Sequence, residues 1–256
     1  MSTGIPMNTS MDTCMTMSEN IPAGMHETGT YSLLLLFQLM GSTYPVGGFS
    51  HSFGLETYVS RKEIKNVADL REYVVWTLRQ NYLHFEGPSF CLAYEAGRAE
   101  ETAVWRQLDL ENTAMRLSKE NRQASLKMGQ AFWRTAQAVF GEERFESIWQ
   151  EIKKNRRLGN YSVAAGYLAG VFGIPLDEAL QAFLFNGINN LVQAGIKMIP
   201  LGQSESHKML YSVYPQISET VKELLAQEKW EITNFVPAQD ILSMQHERLY
   251  TRLYMS

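Results

Sequence analysis

The sequence predicts an all-α fold, a single multi-helix domain of about ten helices with a flexible N-terminal arm. Three observations carry that expectation. Apolar residues recur at i, i+3, i+4 and i+7 along most of the chain beyond residue 30, the spacing of one helix face. Period-two alternation of the kind a half-buried strand needs is not evident. Internal repeats and low-complexity linkers that would divide the chain are also missing, and 256 residues with 45% hydrophobic content can bury one sizeable core.

Taken in order, residues 1–29 are rich in Met, Ser, Thr, Gly and Asn without periodicity, which predicts the arm. Met1, Met7, Met11, Met15, Met17 and Met25, with Cys14 and His26, are soft-metal ligand types, but a flexible arm with chance methionines is the favoured reading. Tyr31 to Met40 is a short apolar helix. A Pro/Gly-rich turn follows from Gly41 to Gly48, and Ser50 is a plausible N-cap for the next helix. A long helical stretch covers Val67 to Arg98, broken or kinked at Gly87-Pro88. Another runs from Asn112, as N-cap, to Phe140, with Met128, Phe132 and Val139 on its core stripe. Tyr161 to Phe172 is apolar on nearly all sides, too short for a membrane span and suited to a central buried helix. The clearest helix starts at Pro175 and ends by Pro200; Ala179, Gly187 and Gly195 form a thin strip on it, open to a helix of the same protomer or of a second copy. Ser204–Val213, Ile217–Gln227 and Pro237–Tyr250 complete the set.

Composition narrows the function classes. The formal net charge is −4, and the first basic residue is Arg61, so no phosphate-neutralising face stands out and nucleic acid is an unfavoured partner. Cys14 and Cys91 lie in unlike contexts, which argues against a disulfide and for a reducing compartment. With no signal-peptide core and no apolar run of membrane-spanning length, a cytoplasmic protein is expected.

Coherent chemistry is hard to find. Gly47-Gly48-Phe49-Ser50 lacks the Gly-Lys-Ser/Thr ending of a phosphate loop. Ser50, His51, Ser52 and Glu56 have the residue types of a triad, but on a helix His51 and Glu56 would diverge by about 140°. His26, His51, His84, His207 and His246 show no metal-ligand spacing, which leaves a surface His51 or His246 paired across a dimer axis as the metal-binding alternative. Lys153, Lys154, Arg156 and Arg157 suit a solvated helix end, and Cys91 a small core position. The chain's end differs: Arg248-Leu249-Tyr250 and Arg252-Leu253-Tyr254 repeat the residue types enriched at binding hot spots. If helical, they would form a tyrosine stripe, either docking a partner or packing on their own domain.

Two of these segments, Tyr44 to Glu56 and Met244 to Tyr254, resemble the urease accessory protein UreF family. Ile196 to Gln203 is similar to the family's internal motif, and Arg122 to Gly129 to its middle helix. The resemblance covers about residues 31–256 and makes 30–256 one UreF-like domain with a C-terminal docking tail at 245–256. It implies an all-helical homodimer without enzymatic activity or a cofactor of its own. It also implies three partners: UreD (UreH in some species), the GTPase UreG, and apo-urease, into which nickel is inserted. By position, Pro45, Gly47, Gly48, Phe49, Ser50, His51 and Glu56 would face partners. Arg248, Tyr250, Arg252 and Tyr254 would belong to the docking tail, and Lys197 marks the internal motif. The alternative is a nickel-carrying metallochaperone using His51 or His246. Many relatives have a His where this chain has Asn160-Tyr161, so a role for that His does not transfer. An arginine finger among Arg122, Arg156 and Arg157 has no geometric support.

Overall fold

A computed structural model describes residues 31–234 and 236–256. The expectations placed on Cys14, His26 and the N-terminal methionines lie outside the described residues. Every regular element among those described is helical, as the periodicity predicts. They run α1 (Ser32–Met40), a short 3-10 turn (Gly48–Ser50), α2 (Leu55–Ser60), α3 (Val67–Thr77), a π-helical segment (Leu78–Glu86), α4 (Gly87–Arg98), α5 (Thr102–Met115), α6 (Lys119–Phe140), α7 (Glu143–Lys154), α8 (Tyr161–Val171), α9 (Leu176–Met198), α10 (Gln203–Ser212), α11 (Tyr214–Leu225) and α12 (Pro237–His246). Among the described residues no helix is long and apolar enough to cross a membrane.

The core forms around α8, whose residues from Tyr161 to Gly170 are all buried. It packs on α4 backbone to backbone, where a Cβ at Gly166 would stand 2.2 Å from the Phe90 carbonyl oxygen. Trp105, Trp133, Tyr167 and Phe145 add an aromatic cluster beside it. The small-residue strip of α9 is used inside the protomer. Ala179 is buried, Gly187 receives the Tyr82 side chain, and Gly195 receives Leu70. That settles the choice the sequence left open.

Several boundaries differ from the sequence reading, each for a local reason. Pro88 does not break the long helix. The backbone widens to π geometry over Leu78–Glu86, upstream of the proline. Pro88 has no N–H for the His84 carbonyl, which instead accepts the Thr233 N–H at 2.9 Å. Asn112 is not an N-cap but a buried residue within α5, donating to Ser89 Oγ at 2.7 Å and accepting from Arg116 Nε at 3.1 Å. The α6 cap is Ser118, whose Oγ accepts the Asn121 N–H. Val139 is exposed, and Ala136 takes the core position expected of it. The sequence reading assigned no helix to 143–154, although Phe145, Ile148 and Ile152 bury one face of α7 there. Lys153 and Lys154 do close a helix, in its last turn.

Asn160, at the N-terminal end of α8, is wholly buried. With the Gly159 N–H it is tied to the buried Asp109 carboxylate, and its Nδ2 also donates to Thr113 Oγ1 at 2.6 Å. Burial pushes the Asp109 carboxyl up to about 6 against these stabilising hydrogen bonds. Cys91 is wholly buried, and desolvation raises its thiol to about 12, so it is an unreactive core side chain.

Candidate functional site

The Pro/Gly turn after α1 is a shaped loop rather than the start of a helix. Ser50 does not cap an α-helix; its hydroxyl donates to the Gly47 carbonyl at 2.6 Å and closes the 3-10 turn. Gly47 (φ 74°) and Gly54 (φ 90°) lie in the left-handed region, where a side chain is strained, and they bracket the turn. Phe53, also at positive φ, completes the reversal into α2. The result turns Phe49 outward, 66% exposed, and His51 and Ser52 inward. His51 is thus no surface residue and lies on no helix; it is buried, and burial with the nearby Lys127 lowers its imidazole to about 4.

The tail meets this loop. α12 ends at His246, four residues earlier than the periodicity suggested, and residues 251–256 are non-helical and lie against the loop and α2. The Met255 N–H donates to the Ser50 carbonyl at 2.9 Å. The Ser256 carbonyl accepts the Ser52 N–H at 2.6 Å and the Ser52 hydroxyl at 2.7 Å. Nδ1 of His51 lies 2.8 Å from the Ser256 hydroxyl. Because the tail is not helical, its tyrosines do not share a stripe. Tyr254 is buried and donates to the Ala194 carbonyl of α9 at 3.2 Å, whereas Tyr250 is fully exposed.

Beneath the tail lies a charge network. Glu56 of α2 accepts the Leu253 N–H at 2.7 Å and the Tyr254 N–H at 3.1 Å. His246, also buried and not at the surface, bridges Glu56 and Glu120 through its two ring nitrogens at 2.8 and 2.7 Å. A neutral imidazole can donate to only one of these carboxylates; the doubly protonated ring donates to both. Arg252 donates to the other Glu120 oxygen at 3.0 Å. Both ring nitrogens of His246 are therefore engaged, and among the described residues no group of three His, Cys, Asp or Glu side chains is placed to hold a metal.

Of the residues singled out from the sequence, the structure brings Gly48, Ser50, His51, Glu56, Arg252 and Tyr254 into this one assembly. Pro45, Phe49, Arg248 and Tyr250 stand exposed around it. Lys197 is exposed in the last turn of α9, three residues beyond Ala194. Ser50, His51, Ser52 and Glu56 do not converge as a triad: His51 pairs with Ser256 and Glu56 with His246. Glu120 and Ser256 were not found by sequence reasoning. Nothing in the sequence signals that Glu120, 126 residues from His246, faces it.

A family model described as UreF matches residues 64–214. The chain is 32% identical over 221 residues to the urease accessory protein UreF of Actinobacillus pleuropneumoniae serotype 3 (strain JL03), covering 86% of this chain and 97% of that one. It is 30% identical over 224 residues to the protein of the same name from Bacillus sp. (strain TB-90), covering 88% and 99%. The corresponding protein of Haemophilus influenzae (strain PittEE) is 31% identical over 221 residues, covering 86% and 94%.

Proposed function

The chain belongs to the urease accessory protein UreF family, and from that premise we propose that it serves urease maturation as a protein-binding scaffold with no catalytic step of its own. The observation that carries this reading is the joining of loop and tail into one face. Their inward side chains are consumed by mutual hydrogen bonds, while Phe49, Tyr250, Leu253 and Met255 are turned to solvent. Four large apolar or aromatic side chains on one built surface are the chemistry of a protein contact. The outer side of α12 extends it through Ile241 and Met244.

In this reading the face docks UreD/UreH, and the resulting complex recruits the GTPase UreG and acts on apo-urease in the cytoplasm. Nickel is cargo of the assembly, not a ligand that this chain must hold. The metallochaperone alternative is not favoured, because His51 and His246 are buried and spent on Ser256, Glu56 and Glu120.

A second apolar surface supports the homodimer. Leu33, Leu34 and Phe37 of α1 are more than half exposed, beside an open groove lined by Phe185, Tyr214 and Ile217. One α1 seated against its symmetry mate would cover both.

Co-expression with UreD/UreH and UreG tests the reading. Co-migration of the three in size-exclusion chromatography is expected; a folded chain that elutes apart from folded partners would refute it.

A further inference from the structure

Residues of α12 line two small cavities in the body of the protein, the smaller one mainly polar and the larger one mainly apolar. One, of about 20 Å³, is lined by Asp240, Gln239, Asn234, Asn121 and the Arg116–Glu86 pair. The other, of about 50 Å³, shares Gln239, Arg116 and Glu86 and reaches towards Tyr161 and Asn190.

Asp240 is only 7% exposed. Its carboxylate accepts the Ser118 backbone N–H, yet Oδ2 has no hydrogen-bond partner in the protein. Leaving such an oxygen bare and buried costs at least about 1–3 kcal/mol. The charge of Arg116 acts on Asp240, but its hydrogen bonds go elsewhere. Arg116 gives Nη1 and Nη2 to the two Glu86 oxygens at 2.8 and 2.9 Å and Nε to Asn112.

We propose that the smaller cavity is a structural water site, in which one water donates to Asp240 Oδ2 and completes its bonding with the side-chain amides around it. The volume fits: a single water needs roughly 10–15 Å³ and two to four polar partners. The chemistry selects water over a metal ion. A bound cation would face the Arg116 guanidinium across the same small space, and it would find one unengaged carboxylate oxygen where hard cations take six or more oxygens. The water seats α12 on α5 and α6 by hydrogen bonds, where dry side-chain packing would otherwise be required.

Two measurements on the full chain test this. A high-resolution crystal structure grown in rubidium salt should show one ordered oxygen at hydrogen-bond distance from Asp240 Oδ2 and no anomalous rubidium signal there. Water relaxation dispersion should count at least one long-lived internal water fewer in Asp240→Leu than in the parent. If that variant does not fold, Asp240→Asn, which keeps the cavity's size and polarity, should retain the count. Empty density at Oδ2, a rubidium peak, or an unchanged count in folded Asp240→Leu would each overturn the proposal.

Discussion

Nε2 of His246 and Oε2 of Glu56 meet at 2.8 Å, although 190 residues of chain separate them, and neither side chain is open to water. The same ring reaches Glu120 on its other side, so three helices (α2, α6 and α12) are held at one imidazole. The ring stands between the two carboxylates and engages both. The tail is fastened to that bridge through Glu56 and Glu120.

His246→Ala should therefore do more than empty a pocket. It leaves two buried carboxylates without their shared partner, a loss on the order of 3–5 kcal/mol. Denaturant titration should show the midpoint falling at unchanged slope. His246→Gln, which keeps a donor for one carboxylate only, should fall between the parent and the alanine variant. A loss within about 0.5 kcal/mol, the scatter of ordinary surface substitutions, would contradict the bridge.

The tail's two tyrosines should separate cleanly. Tyr254→Ala removes a buried anchor and its hydrogen bond to Ala194, and should lower the thermal midpoint. Tyr250→Ala, at a fully exposed position, should leave the midpoint alone but weaken UreD/UreH binding about tenfold or more, the range of a hot-spot residue. Calorimetry on the free variants and titration with the partner distinguish the two. The reverse pattern would overturn the division into anchor and display.

His51 sets a pH dependence. Its imidazole is held near 4 in the folded protein against an ordinary 6.5, so the unfolded chain binds the extra proton more readily. Its contribution to stability is complete above about 6.5 and is lost as the pH falls towards 4. Asp109, raised from 3.8 to about 6, acts in the opposite sense: its contribution is complete below 3.8 and disappears as the pH rises through 6. Net slopes thus partly cancel, and the informative quantity is a difference. His51→Asn should lose less stability than the parent on acidification from pH 6.5 to 4. Parallel curves in denaturant unfolding at stepped pH would exclude the assignment.

Gly166→Ala should be far costlier than its single methyl suggests. The added carbon would meet the Phe90 carbonyl at 2.2 Å, and a helix backbone cannot rotate away as a side chain can. A loss of roughly 1–3 kcal/mol or more is expected, with α4 and α8 forced apart. Thermal unfolding beside the parent would check it.

Leu34→Arg on α1 should leave the fold intact, because the side chain is already 63% exposed. Light scattering should nevertheless show a homodimer become a monomer. A variant that stays dimeric would place the dimer contact elsewhere.

The one-dimensional pattern determined the all-α class, the almost entirely buried α8 and the long α9, because burial and helical period act over one or two turns and leave a local imprint. It also marked the Pro/Gly loop and the Arg/Tyr tail as unusual, since Gly at left-handed positions and aromatics at a chain end are local signals. What the sequence could not decide was which of those residues face one another. His51 and His246 looked like surface groups, and whether Tyr254 would pack or dock stayed open, because burial here comes from α2, α6 and the tail converging from distant stretches of chain. Glu120 had no local pattern to mark it beyond a place in the first turn of α6. Only the tertiary structure opposed its charge to His246 and Arg252, and electrostatic partners are chosen by distance in space, which the order of residues does not record.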